Sequence, residues 1–247
     1  MAQLDVTGVS VRFGGHQALL DVSFGAEAGA ITGLIGPNGA GKTTLFNVIT
    51  GLQPPTSGVV KIDGRDITGL APYKRARRGL ARTFQRLELF TLLTVRENIR
   101  VAADIHRGHT RDRSIDPDRV ASEVLERIRL SHLADAKMSQ LPTGQARLVE
   151  LGRALATRPC VLLLDEPASG QTSEETETFA RLLGDLAEDG IAVVLVEHDV
   201  ALVMQVCQYI HVLDFGRIIA SGTPEVVKVD AAVLTAYLGT GAETVAR

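Results

Sequence analysis

The nine residues GPNGAGKTT, Gly36–Thr44, combine flexible backbone with one cation and two hydroxyls. Their spacing fits G-x-x-x-x-G-K-[ST], the pattern of a loop that wraps phosphate. Gly36, Gly39 and Gly41 let backbone N–H groups turn inward, and Pro37, Asn38 and Ala40 fill the positions between them. A helix opening at the end of the loop adds partial positive charge. Lys42 is placed to reach the β- and γ-phosphates and the Thr43 hydroxyl to bind Mg²⁺, with Thr44 closing the motif. A second stretch, VLLLDEP, ends an apolar run with Asp165 and Glu166. In a phosphate-loop protein that position holds the carboxylate that binds Mg²⁺ through water. Its neighbour, Glu166, is suited to polarise an attacking water as a general base. Together the two stretches describe a nucleotide site.

These residues need elements to hold them. Residues 4–13 alternate as a strand does, and ITGLI (31–35) is a short apolar run ending at the phosphate loop. A helix is expected from about Lys42 to Ile49, stopped by Gly51. SGVVKIDG (57–64) reads as a hairpin strand. VLLLDE (161–166) and IAVVLVEH (191–198) are continuous apolar runs, as strands buried on both faces of a parallel sheet require. The polar segment 174–187 between them is helical in pattern and makes a βαβ unit. Residues 95–139 contain no strand and read as helices, interrupted by the charged HRGHTRDRSIDPDR. Asp116 and Pro117 are a helix cap and first position, and Val120, Val124, Leu125 and Ile128 give that helix one apolar face. The expectation is an α/β core with an inserted helical subdomain.

Bulk properties agree with a globular chain. Hydrophobic residues make up 45% and charged residues 22% of the 247, and the net charge of −3 gives no general attraction to nucleic acid or anionic membrane. Cys160 and Cys207 lie far apart in apolar surroundings and read as reduced core residues. The start of the chain lacks the pattern of a signal peptide. No apolar run approaches the roughly 20 residues a bilayer span needs. An Asn-Lys-x-Asp segment, which would read guanine, does not occur.

With these motifs in place, nearly the whole chain resembles the ATP-binding subunits of ABC transporters. The resemblance rests on the phosphate loop and the Asp165-Glu166 strand, on Phe13 in VSVRFGG, on Gln85 in ARTFQ and on His198 in LVEHD. It implies a P-loop NTPase (RecA-like) core with an antiparallel β subdomain and an inserted α-helical subdomain. The single domain would divide into core segments 1–86 and 150–247 and a helical segment 87–149. It also implies that Phe13 stacks on adenine, that Gln85 senses Mg²⁺ and the membrane partner, and that His198 contacts the γ-phosphate. Leu141, Pro142, Thr143, Gly144 and Gln145 stand where the family's L-S-G-G-Q signature belongs. That turn would cap the nucleotide of a second subunit, bound head to tail.

Two departures stand out. Pro142 replaces the signature serine, removing a hydroxyl and a backbone donor, and Thr143 replaces the first glycine. Thr172 occupies a position where the family usually carries an acidic or amide residue. Losing one hydrogen bond to a charged group costs roughly 1.5–3 kcal/mol, so slowed hydrolysis with intact ATP binding is the expectation. In a heterodimer the weakened site would be the partner's, and in a homodimer both.

Within the family, DITGLAPYKRARRGLARTFQ, FTLLTVRENIRVAA and the terminal AYLG after GTPE resemble the ATPases of branched-chain amino-acid importers, with the insertion around HRGHTRDRS favouring the larger type. Related ATPases serve urea or amide import and lipopolysaccharide export. The resemblance implies ATP and Mg²⁺ as cofactors and transmembrane permease subunits, a second ATPase and an extracytoplasmic solute-binding protein as partners. It places the chain peripherally at the cytoplasmic face of the inner membrane. Rival readings are a soluble ABC ATPase of DNA repair or translation, which lacks its usual coiled-coil insertion or tandem unit here, and a binding-only regulatory subunit. The run Lys74, Arg75, Arg77, Arg78 and Arg82 reads as a solvated helix face, not a nucleic-acid site, because aromatic residues are scarce in it. His106 and His109 lack a third ligand, and AAVLTAYL near the C-terminus reads as a helix against the core.

Overall fold

The computed structural model describes residues 2–238. Two sheets organise them. Strands β1 (Ala2–Phe13), β2 (His16–Glu27), β4 (Ser57–Ile62) and β5 (Arg65–Asp66) form an antiparallel sheet in the order β2-β1-β4-β5. Six others, β3 (Ile31–Ile35), β6 (Leu80–Arg82), β7 (Val161–Asp165), β8 (Ala192–Val196), β9 (Tyr209–Asp214) and β10 (Arg217–Gly222), form the second, in the order β10-β9-β3-β8-β7-β6. Every pair there is parallel except the β9–β10 hairpin at one edge.

All five residues of β3, β7 and β8 are buried. Strand side chains alternate between faces, and the packing follows. Leu162, Leu164, Val193 and Leu195 join one core with helices α3 (Val95–Thr110), α4 (Pro117–Arg127), α5 (Thr143–Leu155) and α6 (Ser173–Glu188). Val161, Leu163, Ala192 and Val194 join a second core with α1 (Lys42–Thr50) and the antiparallel sheet. The large sheet is thus clamped between the helical layer and the small sheet, which fixes the ends of β3, β7 and β8 in one place. The remaining helices are α2 (Pro72–Ala76), α7 (Val200–Val206), α8 (Pro224–Lys228) and α9 (Ala231–Leu238). From α9, Val233 inserts into the helical-side core, as its apolar pattern suggests; Gly239 of AYLG lies outside the described residues.

Asp116 caps α4 through the Asp118 N–H, with Pro117 in the first turn. Three expectations need correction. The charged interruption begins later than its composition suggests, because α3 continues to Thr110 and stacks His106 and His109 edge to face, 5.1 Å apart. Helix α5 runs unbroken through position 150, so a boundary at 149/150 cuts a continuous helix. The basic run 74–82 is not one solvated face either.

Lys74, Arg77 and Arg78 are exposed, but Arg75 is only 2% exposed. Its guanidinium donates to the carbonyls of Val48 (2.7 Å) and Ile49 (2.8 Å) in the last turn of α1, and to Leu70 (2.8 Å) and Thr68 (2.6 Å). A helix leaves its last carbonyls unpaired, and a planar cation with five donors can collect several of them at once. Burial lowers the Arg75 pKa and the Asp66 charge opposes that. Arg75→Met strips those carbonyls of their donor and is expected to lower unfolding free energy by about 3 kcal/mol, against under about 0.5 for Lys74→Met, in urea titrations followed by circular dichroism.

Candidate active site

Strand β3 delivers the chain into the phosphate loop, and α1 carries it away. Two glycines are steric necessities there. Gly36 has φ +151°, and a Cβ on it would lie 1.9 Å from the Leu213 carbonyl oxygen of β9. Gly41 has φ +110°, and a Cβ would lie 2.9 Å from the Ala18 carbonyl oxygen of β2. The loop is therefore wedged between both sheets. Gly41 starts α1 without any side-chain cap, so the first-turn N–H groups remain directed at the space ahead of the helix. Lys42 is 8% exposed and donates from Nζ to the carbonyls of Gly36 (2.6 Å) and Pro37 (3.0 Å). Burial pushes its pKa down, while the charges of Glu166 and Asp165 hold it up.

A cavity of about 460 Å³ opens in front of this loop. Asn38 through Thr44 line it, together with Gln85, Asp165, Glu166, Val196 and His198. Positions from four parts of the sequence meet here because parallel strands end side by side, the usual place for a ligand in an open α/β sheet. Glu166 follows β7 with φ +50°, a left-handed conformation that costs a non-glycine residue about 1–3 kcal/mol. Its N–H donates to Val196 of β8 at 2.8 Å, which holds that conformation in place. Its carboxylate accepts from Gln85 Nε2 at 3.2 Å on both oxygens, and Oε1 lies 2.7 Å from His198 Nε2. An ionised carboxylate can only accept, so His198 carries a proton on Nε2 in this arrangement.

Thr43, Asp165 and Gln85 bring a hydroxyl, a carboxylate and an amide oxygen to one cavity. Those are hard oxygen donors of the kind Mg²⁺ selects, completed by water and phosphate oxygens. Asp165 is already engaged. Its Oδ2 accepts from Arg82 Nη2 at 2.9 Å, and both side chains are nearly buried. Arg82 also donates to Asn47 Oδ1 at 2.7 Å and lies over the rings of Phe46 and Phe84. Arg82 does not lie on a solvated face, because it stands on β6, directly beside β7, where its charge is met by Asp165.

The remaining expected residues stand elsewhere. Phe13 is half exposed at the end of β1 and does not line this cavity. Nor does any of Leu141–Gln145. Pro142 sits just before α5, which starts at Thr143 with no side-chain cap, so the proline precedes the first helical turn. Gly144 and Gln145 border a separate cavity of about 240 Å³ beside α6. Thr172 caps α6, receiving the Glu175 N–H at 3.3 Å while the Glu175 carboxylate accepts from the Thr172 N–H at 2.8 Å.

Comparison with known proteins decides the family. The ABC transporter profile matches residues 19–169, a span that carries both the phosphate loop and the Asp165-Glu166 strand. The chain belongs to the ABC transporter family. Its relatives there are ATP-binding cassettes, and it is an ATPase by the same membership. A second profile, described as branched-chain amino acid ATP-binding cassette transporter, matches 217–243. The chain is 39% identical to the high-affinity branched-chain amino acid transport ATP-binding protein BraF of Pseudomonas aeruginosa, covering 96% of this chain and 97% of that one. It is 35% identical to the lipopolysaccharide export system ATP-binding protein LptB of Haemophilus influenzae, over 97% and 98%. Among solved structures, the ADP conformation of MJ1267, an ATP-binding cassette of an ABC transporter, superposes with a TM-score of 0.86 at 33% identity, over 97% and 99%.

Within this ABC cassette the Arg82–Asp165 pair makes a prediction. Arg82→Met leaves a buried carboxylate without its cation and is expected to lower unfolding free energy by about 3–5 kcal/mol. Adding Asp165→Asn to it should recover most of that loss in the same chemical denaturation experiment. Equal, additive losses would show that the two side chains act separately.

Proposed function

We propose that this chain hydrolyses ATP with Mg²⁺ in a cavity whose reactive group is Glu166, and so drives a separate membrane permease. The observation that carries the reading is Glu166 itself, strained in backbone and held between His198 and Gln85 at the mouth of the phosphate loop. Lys42 and the loop amides would bind phosphate, Thr43, Asp165 and Gln85 would hold Mg²⁺, and Phe13 would stack on adenine. When bound, Mg²⁺ would supply positive charge against the phosphates. Glu166 Oε2, bonded only to the Gln85 amide while Oε1 also meets His198, is the carboxylate oxygen that would accept a proton from water. His198 then holds the γ-phosphate and the water in line. Catalysis comes from positioning and preorganised charge.

The signature turn Leu141–Gln145 lies outside its own chain's cavity, and that separation supports a second ATPase subunit whose nucleotide it caps. The chain then acts as one ABC domain in which the helical layer presents the turn at the start of α5. No helix among the described residues is long and apolar enough to cross a membrane. Spanning helices come from the permease, and the chain sits on its cytoplasmic face at the inner membrane. Branched-chain amino acids, delivered by an extracytoplasmic solute-binding protein, are the favoured cargo. Similarity to BraF and the match of the C-terminal profile support them over lipopolysaccharide, urea or amides.

Steady-state ATP hydrolysis tests the mechanism. Glu166→Gln is expected to cut kcat by about 10²–10⁴ while leaving ATP binding intact. Pro142→Ser, which gives the uncapped α5 a side-chain acceptor, should raise the rate. Hydrolysis that survives in Glu166→Gln at the full rate would reject Glu166 as the base.

A further inference from the structure

Glu197 follows β8 and has no part in the mechanism above, yet it is a nearly buried carboxylate, 6% exposed, beside a site full of charge. It accepts two backbone N–H groups from different loops. Oε1 takes the Ala168 N–H at 2.7 Å, from the segment that follows Glu166, and Oε2 takes the His198 N–H at 3.1 Å. Burial raises its pKa and the nearby Glu166 charge adds to that, while the Ala168 and His198 N–H groups hold it down. Placing a second negative charge close to Glu166 works against both carboxylates, so the arrangement calls for a reason.

The connections close a circuit. From Glu166 the chain runs through Pro167 to Ala168, across to the Glu197 carboxylate, on to His198, and back from His198 Nε2 to the Glu166 carboxylate. We propose that Glu197 is a positioning residue for ATP hydrolysis, clamping the loops after β7 and β8 together so that His198 and Glu166 stay in register. Only a carboxylate serves. Both oxygens face donors, and glutamine would turn an NH₂ group toward one of them. Aspartate is one methylene too short to keep both loops at their present distance. The clamp also gives the segment 167–172 a direct route to His198, since a pull on Ala168 reaches the His198 backbone through one side chain.

This inference rests on the ATPase reading, and its test separates the two. In the full-length chain labelled with ¹⁵N-histidine, Glu197→Gln is expected to move the His198 imidazole resonances. It should also speed amide exchange at Ala168 and His198 by over about 10-fold, with little change elsewhere in the sheet. In turnover, kcat should fall about 10-fold and KM for ATP change less than about twofold, because Lys42, the loop amides and Phe13 are untouched. In a His198→Ala background the same substitution should cost almost nothing more. Glu197→Asp should repeat the pattern, and serves if the glutamine variant does not fold. Unchanged His198 resonances and amide exchange, or a full additional loss in the His198→Ala background, would overturn the clamp. If the wild-type chain fails to turn over ATP while the His198 resonances still move, the ATPase reading falls and the clamp stands.

Discussion

The Glu166 carboxylate is the point at which this structure concentrates its constraints. It is held in a left-handed backbone conformation by the Val196 carbonyl, met by His198 on one oxygen and by Gln85 across both, and flanked by the buried Arg82–Asp165 pair. A free glutamate would relax out of that conformation, so the surrounding strands must be rigid enough to refuse it. They are, because β7 and β8 are buried on both faces and anchored in two cores at once. The strain is local, and the scaffold that supports it is global.

The same economy governs the phosphate loop. It is fixed from outside by the Leu213 carbonyl of the large sheet and the Ala18 carbonyl of the small one, with Lys42 tying it from inside through Gly36 and Pro37. The loop amides are thereby presented before any ligand arrives, which is what electrostatic preorganisation requires. Arg75 performs a related service at the other end of α1, where it gathers the last carbonyls. One short helix is thus open at the end that faces the cavity and closed at the end that faces the core.

Much of this was legible in the sequence, for a physical reason. Continuous apolar runs and the glycine pattern report burial and steric demand directly, so β3, β7, β8 and the loop between β3 and α1 follow from residue types. The end of an apolar strand beside the phosphate loop likewise points to Asp165 and Glu166, whereas Gln85 and His198 were reached only through the family resemblance, because nothing in their local pattern marks them. Strand β2 was passed over although residues 21–27 alternate with a period of two, whereas the β9–β10 hairpin is a mixed run without a clear period. Arg75, Arg82 and Glu197 were misread or passed over because charge predicts solvent only when no buried partner exists. Their partners, the carbonyls of α1, Asp165 and two loop amides, are 26 or more residues away or invisible to side-chain patterns. Buried ionic groups are a tertiary property, and period and composition do not report them.

The central claim is that the loop, Lys42 and the oxygen donors opposite it form one nucleotide site. Equilibrium titration of the wild-type chain and of Lys42→Met with a fluorescent ATP analogue, with Mg²⁺ and with EDTA in its place, tests this most directly. Saturable one-to-one binding, strengthened by Mg²⁺ and weakened at least about tenfold in Lys42→Met, is the predicted result. Binding indifferent to both Lys42 and Mg²⁺ would contradict the account, because the nucleotide would then be held somewhere other than this cavity.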